Sequence, residues 1–126
     1  MQPLSHPISF DEAQVIAADM ARQGFTLFDG LPVSTMLNEE FLEAQGCWIF
    51  FISDEALTRL GDLRSPLFFT AYAVAKSGDP VGFVYDFRAT PEKMNDYLEL
   101  WSMYALGKRE EANRGMDVFI QKYPSE

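Results

Sequence analysis

Alternation with a period of two marks the middle of the chain. Phe68, Tyr72 and Val74 alternate with Phe69, Ala71, Ala73 and Ala75, the pattern of a pleated strand with two different faces. Ser77-Gly78-Asp79-Pro80 then supplies a turn, Gly for unusual backbone angles and Pro to fix one. The pattern resumes with Val81, Phe83, Tyr85 and Phe87 on one face and Gly82, Val84 and Asp86 on the other. Strands over 67–76 and 81–87 follow. Thr90-Pro91-Glu92 next offers a capping hydroxyl, a Pro at the first helical position and an acid in the first turn. Met94, Tyr97, Leu98, Trp101 and Ala105 make the stripe of a helix over 91–106, and Leu100, Met103 and Tyr104 widen it.

Earlier in the chain, Ser9-Phe10-Asp11-Glu12 fits the S-x-x-E capping box, and Ala13, Ile16, Ala17, Met20 and Ala21 recur at helical spacing before Gly24. A helix over 10–23 is predicted. Phe25-Thr26-Leu27-Phe28 is a short β-prone run closed by Asp29-Gly30. Residues 36–43 read as a strand, since Leu37, Glu39, Phe41 and Glu43 alternate, with a short helix over 35–44 as the alternative, because Leu37, Phe41 and Leu42 fit one helix face. Ala44-Gln45-Gly46 turns the chain into Cys47-Trp48-Ile49-Phe50-Phe51-Ile52, a buried strand by its branched and aromatic content. Ser53 to Pro66 is predicted as a long irregular loop, with room for one helical turn started by Ser53, Ala56 and Leu57, since Gly61 and Pro66 prevent a long helix. Gly107 breaks the penultimate helix, and Ala112, Met116, Phe119, Ile120 and Tyr123 mark a last one, weakened by Gly115. The expectation is one α+β domain over residues 1–126: an antiparallel sheet of four to five strands packed by an N-terminal helix and C-terminal helices. Residues 1–8 are expected to be flexible and 107–126 to form a helical extension.

Composition narrows the function. At 126 residues with 48% hydrophobic and 14% aromatic content, the chain can bury a core without staples. The formal charge is −9 and the pI near 4.5, which disfavours nucleic-acid backbones and anionic membranes by repulsion. Ten acids face two bases in residues 1–63, so nearly all the net charge sits there. No basic region followed by an apolar run opens the chain and no apolar run is long enough to span a bilayer, so the expected address is cytoplasmic.

Candidate chemistry is sparse. His6, the only histidine, has no second ligand near it, and Cys47 has no core histidine to make it a nucleophile. His6 reads as a surface residue and Cys47 as a small buried hydrophobe. No phosphate loop, dinucleotide fingerprint, C-x-x-C pair or calcium loop occurs, and no cofactor or metal is expected. Asp86, inside an aromatic strand, is either a desolvated carboxylate of raised pKa or the partner of Arg88 or Lys76. Glu39, Glu40, Phe41 and Glu43, with Asp54, Glu55 and Asp62 beyond the Trp48 strand, are the candidate partner-binding residues. They form either a surface that steers a basic protein partner or a solvated face.

The order of parts resembles the small α+β immunity proteins of bacterial polymorphic toxin and secreted-effector systems. The residues that carry the likeness are Phe10–Gln23, Gly46-Cys47-Trp48-Ile49-Phe50, Ala73–Gly78, Val81–Phe87 and Asn95-Asp96-Tyr97-Leu98. An extra residue separates Gly46 from Trp48, and the tail from Gly107 has no counterpart. The resemblance implies a stoichiometric inhibitor that binds a cognate toxin. Two other classes stay open: a small ligand-binding module or enzyme with a pocket lined by Tyr72, Phe83, Tyr85 and Trp101 around Asp86, and a regulatory subunit, a homodimer for example, that self-associates through its last helix.

Overall fold

A computed structural model describes residues 8–24, 32–60 and 70–124. The described residues form nine elements: α1 (Phe10–Gly24), α2 (Val33–Met36), β1 (Leu37–Glu43), β2 (Cys47–Ile52), α3 (Asp54–Leu60), β3 (Ala71–Ala75), β4 (Pro80–Val84), α4 (Pro91–Ala105) and α5 (Arg109–Lys122). The strands form one antiparallel sheet in the order β1-β2-β3-β4, as the α+β reading expects. Helix α1 covers one face of the sheet, and α4, backed by α5, covers the other.

The alternation in the sequence becomes two cores. Trp48, Phe50, Ile52, Tyr72 and Val74 face Ala13, Ala17, Ala18 and Ala21 of α1. Cys47, Ile49, Phe51, Ala71 and Ala73 face Met94, Tyr97, Leu98 and Leu100 of α4. Along β3 the contrast is sharpest: the large Tyr72 and Val74 meet the alanines of α1, and the small Ala71 and Ala73 meet the larger residues of α4. β2 is buried along its whole length, which explains its unbroken apolar run.

Local signals are realised in detail at several places. Ser9 and Glu12 close the capping box: the Glu12 amide donates to Ser9 Oγ at 3.1 Å, and the Ser9 amide donates to Glu12 Oε1 at 3.0 Å. After α4, Gly107 takes φ +85°, the Gly107 amide donates to the Tyr104 carbonyl, and the Lys108 amide donates to the Met103 carbonyl. This is the paired bonding of a Schellman stop, and it turns the chain so that α5 folds back on α4. Gly78, at φ +100°, does the equivalent work between β3 and β4.

Several expectations are corrected. The strand expected over 36–43 forms as β1 (Leu37–Glu43), and in place of the alternative helix over 35–44 a single helical turn precedes it, α2 (Val33–Met36). Residues 54–60 are a helix rather than loop, because Ser53 caps it: its Oγ accepts the Ala56 amide at 3.0 Å, and Ala56 is fully buried below. The returning strand ends at Val84, not Phe87, and its faces are not those of strict alternation. A register shift opposite Ala73 and Val74 puts an extra residue into β4, so Val81 packs on the α4 side while Phe83 lies against Tyr72 on the α1 side. Thr90 stands at the start of α4, but its side chain makes no capping bond. Ile120 is exposed, off the α5 stripe that buries Phe119. The run Phe25–Phe28 and the first residues of the 67–76 strand lie outside the described residues.

Candidate protein-binding surface

β1 is an edge strand, and its sequence Leu37-Asn38-Glu39-Glu40-Phe41-Leu42-Glu43 carries three carboxylates. Only Leu37 is buried. Between Leu37 and Phe41 the register against β2 slips, since Leu37 pairs with Ile52 and Phe41 with Phe50. The surplus residues form a bulge in which Asn38 Oδ1 accepts the Glu40 amide at 3.0 Å. Beyond the bulge, the Ala44 amide donates to the Cys47 carbonyl, so alternation turns the backbone groups of Phe41 and Glu43 away from β2 and toward solvent. Charge and a bulge are also the devices that keep an edge strand from pairing indiscriminately.

The three glutamates do not share one surroundings. Glu43 lies on the α1 side and accepts from Lys76 Nζ at 2.5 Å, while Lys76 stands 5.1 Å from the Trp48 ring centroid. Glu40 lies on the opposite face, paired with Arg88. Arg88 is the hub of that face. Its guanidinium lies 3.8 Å from the Phe51 ring centroid and holds Asp86 through Nε and Nη2, at 2.9 and 2.8 Å, as well as Glu40. The segment after β4 is thereby tied across the sheet to β1, with a planar cation stacked on a ring in the manner that suits Arg and not Lys. Glu39 is exposed.

Phe41 stands among these acids. Its ring is 4.6 Å from Phe10 and 6.3 Å from Phe50, centroid to centroid, yet 40% of the residue is exposed. It is therefore an aromatic held in place on one side and presented on the other. Asp54 and Glu55 are exposed in the first turn of α3, where acids suit the helix dipole. They adjoin the Ile52 end of the hairpin, whereas Glu43 sits at the Trp48 end, roughly 15–20 Å away along the strand. Asp62 lies outside the described residues, as does His6. The candidate acids are thus spread along and around the β1–β2 hairpin, and do not gather on one face.

Of the two readings of Asp86, the structure shows the pairing with Arg88 and not the raised pKa. Burial pushes its carboxyl up, but the side-chain and backbone hydrogen bonds and the charge of Arg88 outweigh that and hold it below the usual carboxylate range. The expected pocket around it does not form from the expected residues. Tyr72 is buried against the α1 core, Trp101 packs in the α4 core on the other side of the sheet, and Phe83 and Tyr85 are 44% and 42% exposed. A cleft of about 250 Å³ lies elsewhere, between Val81, Trp101 and Tyr104 on one side and Met116 of α5 on the other. Cys47 is fully buried, and burial pushes its thiol up to about 12, the behaviour of a packing residue. Among the described residues no cluster of His, Cys, Asp and Glu has the arrangement to hold a metal ion, and no helix is long and apolar enough to cross a membrane.

Sequence reasoning missed two features of this surface. One is Arg88 as the link to Glu40, since pairing across the sheet requires knowing that the chain after β4 crosses back toward β1. The other is Gly46, which docks the β1–β2 turn onto α4: its amide donates to the buried Ser102 Oγ at 2.8 Å. The signal was present in Ser102, a polar residue in an apolar helical stretch. No protein-family model, curated protein or solved structure matches the chain.

Proposed function

We propose that this chain is a non-enzymatic binding protein that captures a basic protein partner through the β1 edge, in the manner of a cytoplasmic immunity protein neutralising a cognate bacterial toxin. The observation that carries this reading is Phe41: an aromatic ring 40% exposed, braced by Phe10 and Phe50, and flanked on its own strand by Glu39, Glu40 and Glu43. Interfaces are centred on aromatic anchors with charge at the rim, and the rim sets encounter rate and partner choice. The net charge of −9 adds long-range attraction for a basic partner.

The test is co-purification with the product of a neighbouring gene, followed by co-expression to see whether toxicity is neutralised. Glu39 is the cleanest position for charge reversal, because Glu40 and Glu43 also hold Arg88 and Lys76. Glu39→Lys should slow association and flatten its salt dependence, while Phe41→Ala should speed dissociation. Binding that is indifferent to salt and to both substitutions would exclude this surface.

A further inference from the structure

The two edges of the sheet differ in kind. β1 carries three glutamates, whereas β4, Pro80-Val81-Gly82-Phe83-Val84, carries no charged residue. Chains of net charge −9 repel one another, so two copies can approach most closely where that charge is missing. At the centre of the uncharged edge is Phe83, 44% exposed, its ring 5.8 Å from buried Tyr72 in an edge-on contact. The ring is therefore already positioned, and burying it would need little further ordering.

The backbone at this edge is also oriented for pairing. Ile52 donates to the Thr70 carbonyl and Lys76 to the Gly46 carbonyl, which assigns the even-numbered residues of β3 to β2. Ala71 and Ala73 are left to bond their partners Val84 and Gly82. Phe83, between those two, turns its N–H and C=O away from the sheet. Among the described residues nothing pairs with this edge.

We infer that β4 is a homodimer interface, in which two copies pair antiparallel about a two-fold axis through Phe83 and extend the sheet from four strands to eight. In that register Phe83 faces Phe83 of the second copy, and Gly82 of each copy lies opposite Val84 of the other. No charged residue of β4 is brought against its own image. The contact uses the same symmetric patch on both chains, as a two-fold interface requires. It is independent of the toxin-binding reading and leaves both acidic β1 edges free, at the two ends of the joined sheet.

Sedimentation equilibrium on the full chain tests this. The mass should rise from 14.3 kDa to twice that value with concentration. Added salt should strengthen the association, because it screens the repulsion between like-charged copies, whereas it weakens capture of a basic partner. Phe83→Lys should weaken self-association at least tenfold while the far-UV circular dichroism stays unchanged, since the residue is half exposed. Phe83→Cys should give a disulfide-linked dimer on mild oxidation. The facing Cα atoms of a hydrogen-bonded antiparallel pair are about 5.5 Å apart, within disulfide range, and the native Cys47 is fully buried. A mass of 14.3 kDa at every concentration, a dimer that survives Phe83→Lys, or a dimer that Phe83→Cys does not cross-link would each overturn the proposal.

Discussion

Gly46→Ala should be among the most damaging single-methyl additions available in this protein. A Cβ at that position would lie 2.5 Å from the Ser102 carbonyl oxygen, 2.7 Å from Leu106 Cγ and 3.2 Å from Ser102 Oγ. The nearest obstacle is helix backbone, which has no rotamer to change, so the β1–β2 turn must lift away from α4. Overpacking of this kind costs about 1–3 kcal/mol. Lifting the turn also breaks the 2.8 Å bond from the Gly46 amide to Ser102 Oγ, and a buried donor left without a partner costs about 1–3 kcal/mol. The two effects overlap, because one movement causes both, and about 2–4 kcal/mol in total is expected.

Urea titration reads this as a drop in midpoint at unchanged slope. For a chain of this size each kcal/mol corresponds to about 4 °C, so Tm should fall by about 8–16 °C. Ser102→Ala isolates the hydrogen-bond part and should cost about 1–3 kcal/mol. The double variant should cost less than the sum of the singles, since the amide bond can be lost only once. If Gly46→Ala stays within about 0.5 kcal/mol of the native chain, or the two changes add to within about 0.3 kcal/mol, the docking of this turn has been misread. Because the turn positions β1, Gly46→Ala should also weaken partner capture without touching Glu39 or Phe41.

Gly115 makes the contrasting case. A Cβ there meets Leu100 Cδ2 at 2.5 Å, the far end of a side chain that can rotate, and Gly→Ala gains about 1 kcal/mol of helix propensity, so the unfolding free energy from urea titration should change by less than about 1 kcal/mol in either direction. Arg88→Lys should destabilise by about 1–2 kcal/mol in thermal melts, since a lysine cannot hold Asp86 and Glu40 together while stacking on Phe51. Asp86 is held below its usual pKa in the folded chain, so it contributes stability above the unfolded value near 4 and loses it as pH falls through the folded value; Asp86→Asn should therefore be less stable at neutral pH and show a smaller loss between about pH 5 and pH 3, measured by urea titration at each pH. Cys47 should resist thiol reagents in the native state and react only on unfolding, and rapid native labelling would contradict its burial.

Much of the architecture was legible because short-range rules carry it. The alternation of Tyr72 and Val74 with Ala71 and Ala73 assigned two faces, and the capping box at Ser9 fixed where α1 begins. Failures came where a non-local contact overrides the local pattern. Val81, Phe83, Tyr85 and Phe87 alternate along the chain, but the extra residue in β4 and the departure after Val84 send Val81 and Phe87 to the α4 core and leave Phe83 outside it. A bulge changes the face of every residue on one side of it, and no composition signal marks it. Residues 54–60 looked like loop because they are polar, yet one buried Ala56 and a Ser53 cap suffice for two turns. Gly115 looked like a weakness in a helix and is a close approach to Leu100.

The acids illustrate the limit most clearly. Counting placed them near the hairpin, but not on which side of it, because a strand sends neighbouring residues to opposite faces. Glu40 and Glu43 end on different faces, each beside a cation from a distant part of the chain. Those pairs are exposed on the acid side, 59% and 52%, so each contributes little stability and each carboxylate keeps solvent-facing acceptor capacity. The pairs do more for position than for energy. Arg88, stacked on Phe51, holds Glu40 on one face; Lys76, beside Trp48, holds Glu43 on the other; Phe41 projects on the Glu43 face from a ring cluster with Phe10 and Phe50. A charged rim whose side chains are already restrained loses less entropy on meeting a partner than a free one. On this reading, structural pairing and recognition do not compete for the same glutamates: the intramolecular cations preset the rim, and Glu39 and Phe41 are the residues whose loss a partner should feel first.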